Sequence, residues 1–159
     1  MIRKASFDCA KDPLVHGVSL LEASAGTGKT YALARIVLRL IAEQGVEISR
    51  ILVVTFTTAA TEELKGRIRE LLVLTLKSLQ ENDTNITDET ILQLGQTEQK
   101  RFESIRRIRL AITCFDEAII ETIHGFCSRV LTENSLETAA LFEAQLDHAS
   151  DDLVVEAMH

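Results

Sequence analysis

Lys29 and Thr30, directly after Gly26-Thr27-Gly28, are the residues of this chain whose types and spacing best suit chemistry on phosphate. The run Glu22-Ala23-Ser24-Ala25-Gly26-Thr27-Gly28-Lys29-Thr30 reads as a loop whose backbone N–H groups cradle an anion at the start of a helix. Lys29 would reach the outer phosphates of a nucleotide, and the Thr30 hydroxyl would sit on Mg²⁺. Ala23 stands where the general pattern has glycine, and alanine does not adopt positive φ cheaply. Such a loop needs a strand before it and a helix after it. Val18 to Leu21 is short and apolar, which predicts a buried strand. Leu33, Ile36, Val37, Leu40 and Ile41 recur at helical spacing, which predicts a helix ending near Gly45.

The rest of the chain supplies further elements. Ile51-Leu52-Val53-Val54 is a continuous apolar run, expected as an interior strand of a parallel sheet buried on both faces. With the first strand and the intervening helix it would make a right-handed βαβ unit. A long helix is predicted from about Ala59 to Leu79, with Leu64, Ile68, Leu71, Leu72, Leu76 and Leu79 as its apolar stripe. Glu81 to Thr90 is polar and reads as a linker. A further helix, about Thr97 to Phe115, carries Phe102, Ile105, Ile108, Ile112 and Phe115 on one face. Ala118 to Ile123 reads as a short strand, and His124-Gly125-Phe126-Cys127 turns into another helix. The tail, Glu133 to His159, is acidic and weakly helical. The fold class is α/β with a parallel sheet and flanking helices.

At 159 residues, 46% hydrophobic and 26% charged, the composition fits one ordinary soluble domain. A net charge of −7 argues against a nucleic-acid binder steered by bulk charge, while leaving room for a local track. Cys9, Cys114 and Cys127 are odd in number and contain no CxxC, as expected of free thiols in a reducing compartment. No apolar run approaches the length needed to span a membrane, and the opening residues lack a signal-peptide core. A cytoplasmic location without membrane attachment is expected.

Three segments in order carry a resemblance. EASAGTGKT spans Glu22 to Thr30; VVTFTTAATEELKGRI spans Val53 to Ile68; TIHGFC spans Thr122 to Cys127. Together they resemble the superfamily 1 UvrD/Rep-type DNA helicases, and within that group the exonuclease V beta-subunit (RecB) family, over roughly residues 13–145. The resemblance implies a partial P-loop NTPase (RecA-like) sheet with flanking helices and the start of a helical insertion subdomain. It divides the chain into 1–80, the first part of an ATP-binding core; 81–116, a helical segment; 117–132, a return to the core with TIHGFC; and 133–159, the start of a truncated 1B-like subdomain. ATP with Mg²⁺ would be held by Ala23, Ser24, Ala25, Gly26, Thr27, Gly28, Lys29 and Thr30, with Thr30 as the metal ligand. His16 stands where the family has an adenine-reading glutamine. Thr55, Phe56, Thr57, Thr122, His124 and Phe126 would face single-stranded DNA. Phe56 would either stack on a base or pack in the core, with core packing the first reading.

The implied activity is ATP-driven translocation on single-stranded DNA during double-strand-break repair and recombination, beside other exonuclease V subunits. No residue of this chain matches a catalytic role. The later helicase motifs, the arginines that would contact the γ-phosphate and any nuclease motif are missing, so an excised or truncated N-terminal portion is expected. Asp116-Glu117 follows an apolar stretch and imitates an Mg²⁺-binding pair. The helical period of the preceding residues reads against that, as does its position before TIHGFC. Lys100, Arg101, Arg106, Arg107 and Arg109 would touch phosphates or form a solvated face, the second being the first reading. Two other classes stay open: a generic P-loop nucleotide-binding module such as a kinase or switch, and a non-catalytic interaction fragment.

Overall fold

The computed structural model describes residues 7–14, 16–22, 28–81 and 87–134. Among them the chain forms α1 (Lys29–Ala42), β1 (Leu52–Thr55), α2 (Thr58–Glu81), α3 (Glu89–Leu94), α4 (Glu98–Thr113), β2 (Ile119–Thr122) and α5 (Ile123–Glu133). Single 3₁₀ turns lie at Ile48–Arg50 and Phe115–Glu117. β1 and β2 pair in parallel, from Leu52 opposite Ile119 to Thr55 opposite Thr122. The crossover between them is helical, through α2, α3 and α4, as a parallel pair requires. α1, α2 and α4 pack on one another, and α2 lies against both strands.

The core forms where the helical stripes meet. Leu38 and Ile41 of α1, Ile68 and Leu72 of α2, and Ile108 of α4 are fully buried. Phe115 closes the cluster from the turn after α4. On α2 the stripe matches the sequence reading: Leu64, Ile68, Leu72 and Leu79 are buried, with Leu71 and Leu76 packed against them. α1 ends as Gly45 predicts. Gly45 takes φ +69°, its N–H donates to Ile41 O (3.1 Å), and Val46 N–H donates to Leu40 O (3.0 Å). Arg107 of α4 then donates to Ala42 O (2.8 Å) and Glu43 O (2.9 Å), which closes the end of α1 against α4.

Four expectations need correction. Residues 18–22 form no strand; Val18, Leu20 and Leu21 are exposed, because no described strand pairs with them. β1 is not buried on both faces: Leu52 is 44% and Val54 41% exposed, since β2 is its one partner among the described residues. On α1, Leu33 is exposed, and the buried face runs instead through Ala34, Val37, Leu38, Ile41 and Ala42. On α4, Phe102 is exposed. The helix turns it away with Arg106 and Arg109, while Ser104, Ile108 and Ala111 face inward. The polar stretch read as a linker is also only partly one. Residues 82–86 lie outside the described residues, but Asp88 caps α3 and Thr90 is fully buried. The tail from residue 135 lies outside the described residues.

Candidate nucleotide and nucleic-acid site

Of the residues expected to cradle phosphate, Ala23, Ser24, Ala25, Gly26 and Thr27 lie outside the described residues. The end of the loop is described. Gly28 is the N-cap of α1 with φ +87°, a left-handed conformation that favours glycine. Gly28 O accepts from Ala32 N–H (2.9 Å), so α1 begins at once with Lys29 and Thr30. Its first turn carries no acidic residue and no side-chain cap. The helix dipole adds positive potential at that end. His16 is exposed, next to Gly17 at φ +112°.

The second group lies where the parallel pair ends. Thr55 and Thr122 are register partners at the carboxyl ends of β1 and β2. Each strand runs almost directly into a helix, α2 after Thr57 and α5 after Thr122. Two helix N-termini therefore stand at the carboxyl edge of the strands, the edge where open α/β sheets place ligands.

The threonines of this edge also build it. The Thr55 and Thr61 hydroxyls are 2.6 Å apart, and each is 3.1 Å from Thr57 O. Each hydroxyl has one proton, so one donates to the other and that one to the carbonyl. Both protons are then engaged in holding the turn. Thr57 Oγ1 accepts from Ala60 N–H (3.2 Å) and keeps its own proton for another acceptor. Thr122 Oγ1 caps α5 by accepting from Gly125 N–H (3.1 Å). A Cβ at Gly125 would come within 3.3 Å of that hydroxyl, so the glycine lets the cap close. Phe56 is 87% exposed, which overturns the core-packing reading. His124 is exposed, and Phe126 is half-buried beneath the Arg129 guanidinium, 5.6 Å from its ring centroid. Arg129 is held by Glu121 (2.7 Å) and Glu133 (3.3 Å), and the hydrogen bonds it donates to those carboxylates raise its pKa further.

Several functional-looking residues lie elsewhere. Asp116 and Glu117 are exposed in the 3₁₀ turn before β2, at the opposite end of the strand from Thr122. Arg107 caps α1 and pairs with Glu103 (3.2 Å), so one member of the basic cluster is architectural. Lys100, Arg106 and Arg109 are exposed. Among the described residues the three cysteines are free, and no helix is long and apolar enough to cross a membrane.

The sequence reading missed two buried arginines on α1. Arg35 forks onto Asp88, with Nη1 to Oδ1 at 2.8 Å and Nη2 on Oδ2, and Nη1 also donates to Thr90 Oγ1 (3.1 Å). Its guanidinium lies over the Tyr31 ring, 4.1 Å from the centroid. Burial pushes the Asp88 carboxyl up, but the Arg35 hydrogen bonds and charge, with the amides of Ile91 and Thr90, outweigh it. The net effect holds Asp88 below the ordinary carboxylate range. One turn on, Arg39 forks onto Glu43 and reaches the chain before the phosphate loop. The sequence signal was the spacing: arginines at i and i+4 on the border of an apolar stripe.

The family model for the UvrD/REP helicase N-terminal domain matches residues 8–158. The chain is similar to the RecBCD enzyme subunit RecB of Escherichia coli K12, at 42% identity over 147 residues, 85% of this chain and 12% of the relative. It is also similar to RecB of Haemophilus influenzae, at 39% identity over 151 residues, 87% of this chain and 12% of the relative. For RecB of Mycolicibacterium smegmatis the figures are 36% over 146 residues, 91% and 13%. The chain thus spans about an eighth of the length of the curated relatives it matches.

Proposed function

Because the chain belongs to the UvrD/REP helicase N-terminal family and is homologous to RecB, we propose that it is the first ATP-binding part of a RecB-type DNA helicase. In this reading the whole protein translocates on single-stranded DNA at the expense of ATP. It acts in the cytoplasm in double-strand-break repair and recombination, beside the other subunits of an exonuclease V assembly. Residues 1–80 and 117–132 serve the motor core, 81–116 is the helical excursion between them, and 133–159 begins a helical subdomain.

The observation that carries the reading is the carboxyl edge of the strand pair. Thr55 and Thr122 stand in register there, two helices start beside them, and Phe56 stands almost fully exposed. An exposed aromatic ring among hydroxyls and helix N-termini suits a single strand, whose bases stack and whose phosphates accept hydrogen bonds. Thr57 and Thr122 are the hydroxyls with a proton to give, since each only accepts from a backbone N–H; Thr55 shapes the turn beside them. His124 and Phe126 extend the track along the first turn of α5.

For ATP, the loop Ala23 to Thr27 would wrap the phosphates, and Gly28 lets the chain enter α1 without a side chain in the way. Lys29 would bind the outer phosphates and Thr30 would offer one oxygen to Mg²⁺. That fit rests on an α1 N-terminus with no acidic side chain or side-chain cap. Mg²⁺, when bound, neutralises charge between the outer phosphates. His16 would face the base.

Calorimetric titration with ATP–Mg²⁺, and separately with a single-stranded oligonucleotide, tests the assignment. Lys29→Ala should weaken nucleotide binding by at least about tenfold, because it removes a charge-assisted contact of roughly 1.5–3 kcal/mol. Equal binding by wild type and Lys29→Ala sinks it.

A further inference from the structure

The geometry points to Arg39 as a positioning residue for nucleotide-base selection, acting through the segment that delivers His16. This rests on the reading above, in which Lys29 and Thr30 hold the phosphates and His16 faces the base. Arg39 lies on the same helix as Lys29, ten residues on, or about 15 Å along the axis. It is 4% exposed. Its Nε and Nη2 donate to the two carboxylate oxygens of Glu43, at 2.8 and 3.1 Å. Its Nη1 uses both protons on the chain ahead of the loop, donating to Cys9 O (3.0 Å) and Asp12 O (2.8 Å). Glu43 orients the guanidinium, and the guanidinium orients the segment.

That segment is pre-shaped to be held. Asp12 N–H donates to Asp8 O (2.9 Å), Asp8 N–H to Asp12 Oδ2 (2.8 Å), and Ala10 N–H to Asp8 Oδ1 (2.9 Å). The result is a closed turn with Ala10 buried beneath it. Gln44, from the end of α1, donates to Leu14 O (3.2 Å) and fixes the chain again further on. Between the two anchors lies Pro13, whose ring locks φ and whose preceding residue is restricted as well. Both anchors and Pro13 lie within four residues of His16, so together they set where the chain approaches it.

One rigid helix thus carries the phosphate contacts at its N-terminus and the anchor of the base-facing segment near its C-terminus. Lysine cannot replace Arg39 in this role. A single ammonium cannot fork onto Glu43 and also reach two carbonyls. The contacts to Cys9 and Asp12 lie far down α1 from Lys29, so loosening them leaves the phosphate cradle in place. Affinity for the phosphate part of a nucleotide and selectivity for its base should therefore separate.

The test uses the full chain and three probes with Mg²⁺: ATP, GTP and inorganic tripolyphosphate, titrated against wild type, Arg39→Lys, Arg39→Met and Pro13→Ala. A second readout is alkylation of Cys9 by N-ethylmaleimide, with exposed Cys127 as internal reference. In wild type, Cys9 should react more slowly than Cys127, and ATP should bind more tightly than GTP. In Arg39→Lys, Cys9 should gain reactivity and the ATP-to-GTP affinity ratio should fall by about tenfold, the scale of a lost positioned hydrogen bond. Tripolyphosphate affinity should not change. Pro13→Ala leaves the buried guanidinium untouched, so it remains informative if the Arg39 variants fail to fold. It should lower the same ratio with Cys9 still protected. An unchanged ratio in Pro13→Ala, or in a variant that has released Cys9, overturns the proposal, as does a parallel loss of ATP and tripolyphosphate binding in a folded variant. Failure of the underlying reading shows differently: wild type itself would bind ATP and GTP alike, or Lys29→Ala would leave tripolyphosphate binding intact. Either result overturns the proposal as well.

Discussion

Replacing Asp88 by alanine should be the most destabilising single change on the polar side of α1, and its size follows from the contacts. Asp88 does two things. Its carboxylate accepts from Thr90 N–H (3.0 Å) and Ile91 N–H (3.4 Å), capping α3. It also neutralises Arg35, which is 6% exposed and whose Nε is buried without a hydrogen-bond partner. Loss of a helix cap costs about 1 kcal/mol. Breaking a buried ion pair costs about 3–5 kcal/mol, because the remaining charge is stranded. The Asp88 side chain is 24% exposed and water reaches it, so the lower end applies. The sum is about 4 kcal/mol, a large share of the roughly 5–15 kcal/mol that holds a domain together. The double change Arg35→Met with Asp88→Asn behaves otherwise. Asparagine still caps α3, and methionine fills the guanidinium's place without a charge, so the cost should fall to about 1 kcal/mol. Urea denaturation followed by circular dichroism measures both. The pH dependence has a definite sign. Asp88 titrates lower in the folded than in the unfolded chain, so its contribution is complete above the ordinary value of 3.8 and is lost as pH falls through the lowered one. The gap between wild type and Asp88→Ala should stay constant from neutrality down to about pH 4 and close below it. A gap under about 1 kcal/mol at pH 7 refutes the reasoning, as does a double variant no more stable than Asp88→Ala.

Gly45→Ala should cost about 1–2 kcal/mol in the same denaturation assay, since it places a Cβ at φ +69° and 3.2 Å from Arg107 Nε. An unchanged midpoint would show that Arg107 moves aside freely and that the turn tolerates alanine. Phe56→Ala should leave stability unchanged, because the ring is exposed, yet weaken single-strand binding by about 1–3 kcal/mol. The binding itself should be weak and strongly salt-dependent, as phosphate contacts on a chain of net charge −7 must be. A tight complex insensitive to salt would contradict this. The chain alone should release no phosphate from ATP above background. Turnover needs a carboxylate to orient water and a cationic finger worth about 10³–10⁵ in rate, and among the described residues after 30 no free pair of such groups stands at the carboxyl edge, where Glu121 and Arg129 hold each other. DNA-stimulated release that Lys29→Ala removes would show that both groups are present after all.

What could be read from the sequence, and what could not, divides along physical lines. The helices were legible because their stripes repeat over many residues: α2 and α4 lie within a few residues of expectation, and the stripe of α2 is buried as read. β2 and its turn into α5 were legible because Ile119-Ile120 opens a short β-rich run that ends in the capping threonine Thr122, with Gly125 after it. The stretch Val18 to Leu21 carries the same apolar signal and forms no strand. A strand is a property of two segments, and composition describes only one. Phe102 and Phe56 failed for a related reason, since a large apolar side chain marks surface available for burial, not the presence of a neighbour to bury it.

Positions were legible where glycine is required by the backbone, at Gly28 before α1 and Gly45 after it, and where threonine ends a strand, at Thr55 and Thr122. What escaped notice are the pairings of polar groups whose partners lie far away in sequence. Arg35 meets Asp88, Arg39 meets Cys9 and Asp12, and Arg107 meets the end of α1. Each looks like a solvated charge along its own helix. Burial of a guanidinium is tolerated when its protons find acceptors, and for Arg39 and Arg107 half or more of those acceptors are carbonyls, which any residue type supplies. Sequence therefore shows the donor and hides the acceptor. The polar contacts that tie the N-terminal segment and α3 to α1 are of this kind, so the residues proposed to tune the nucleotide site from a distance are also those a motif search passes over.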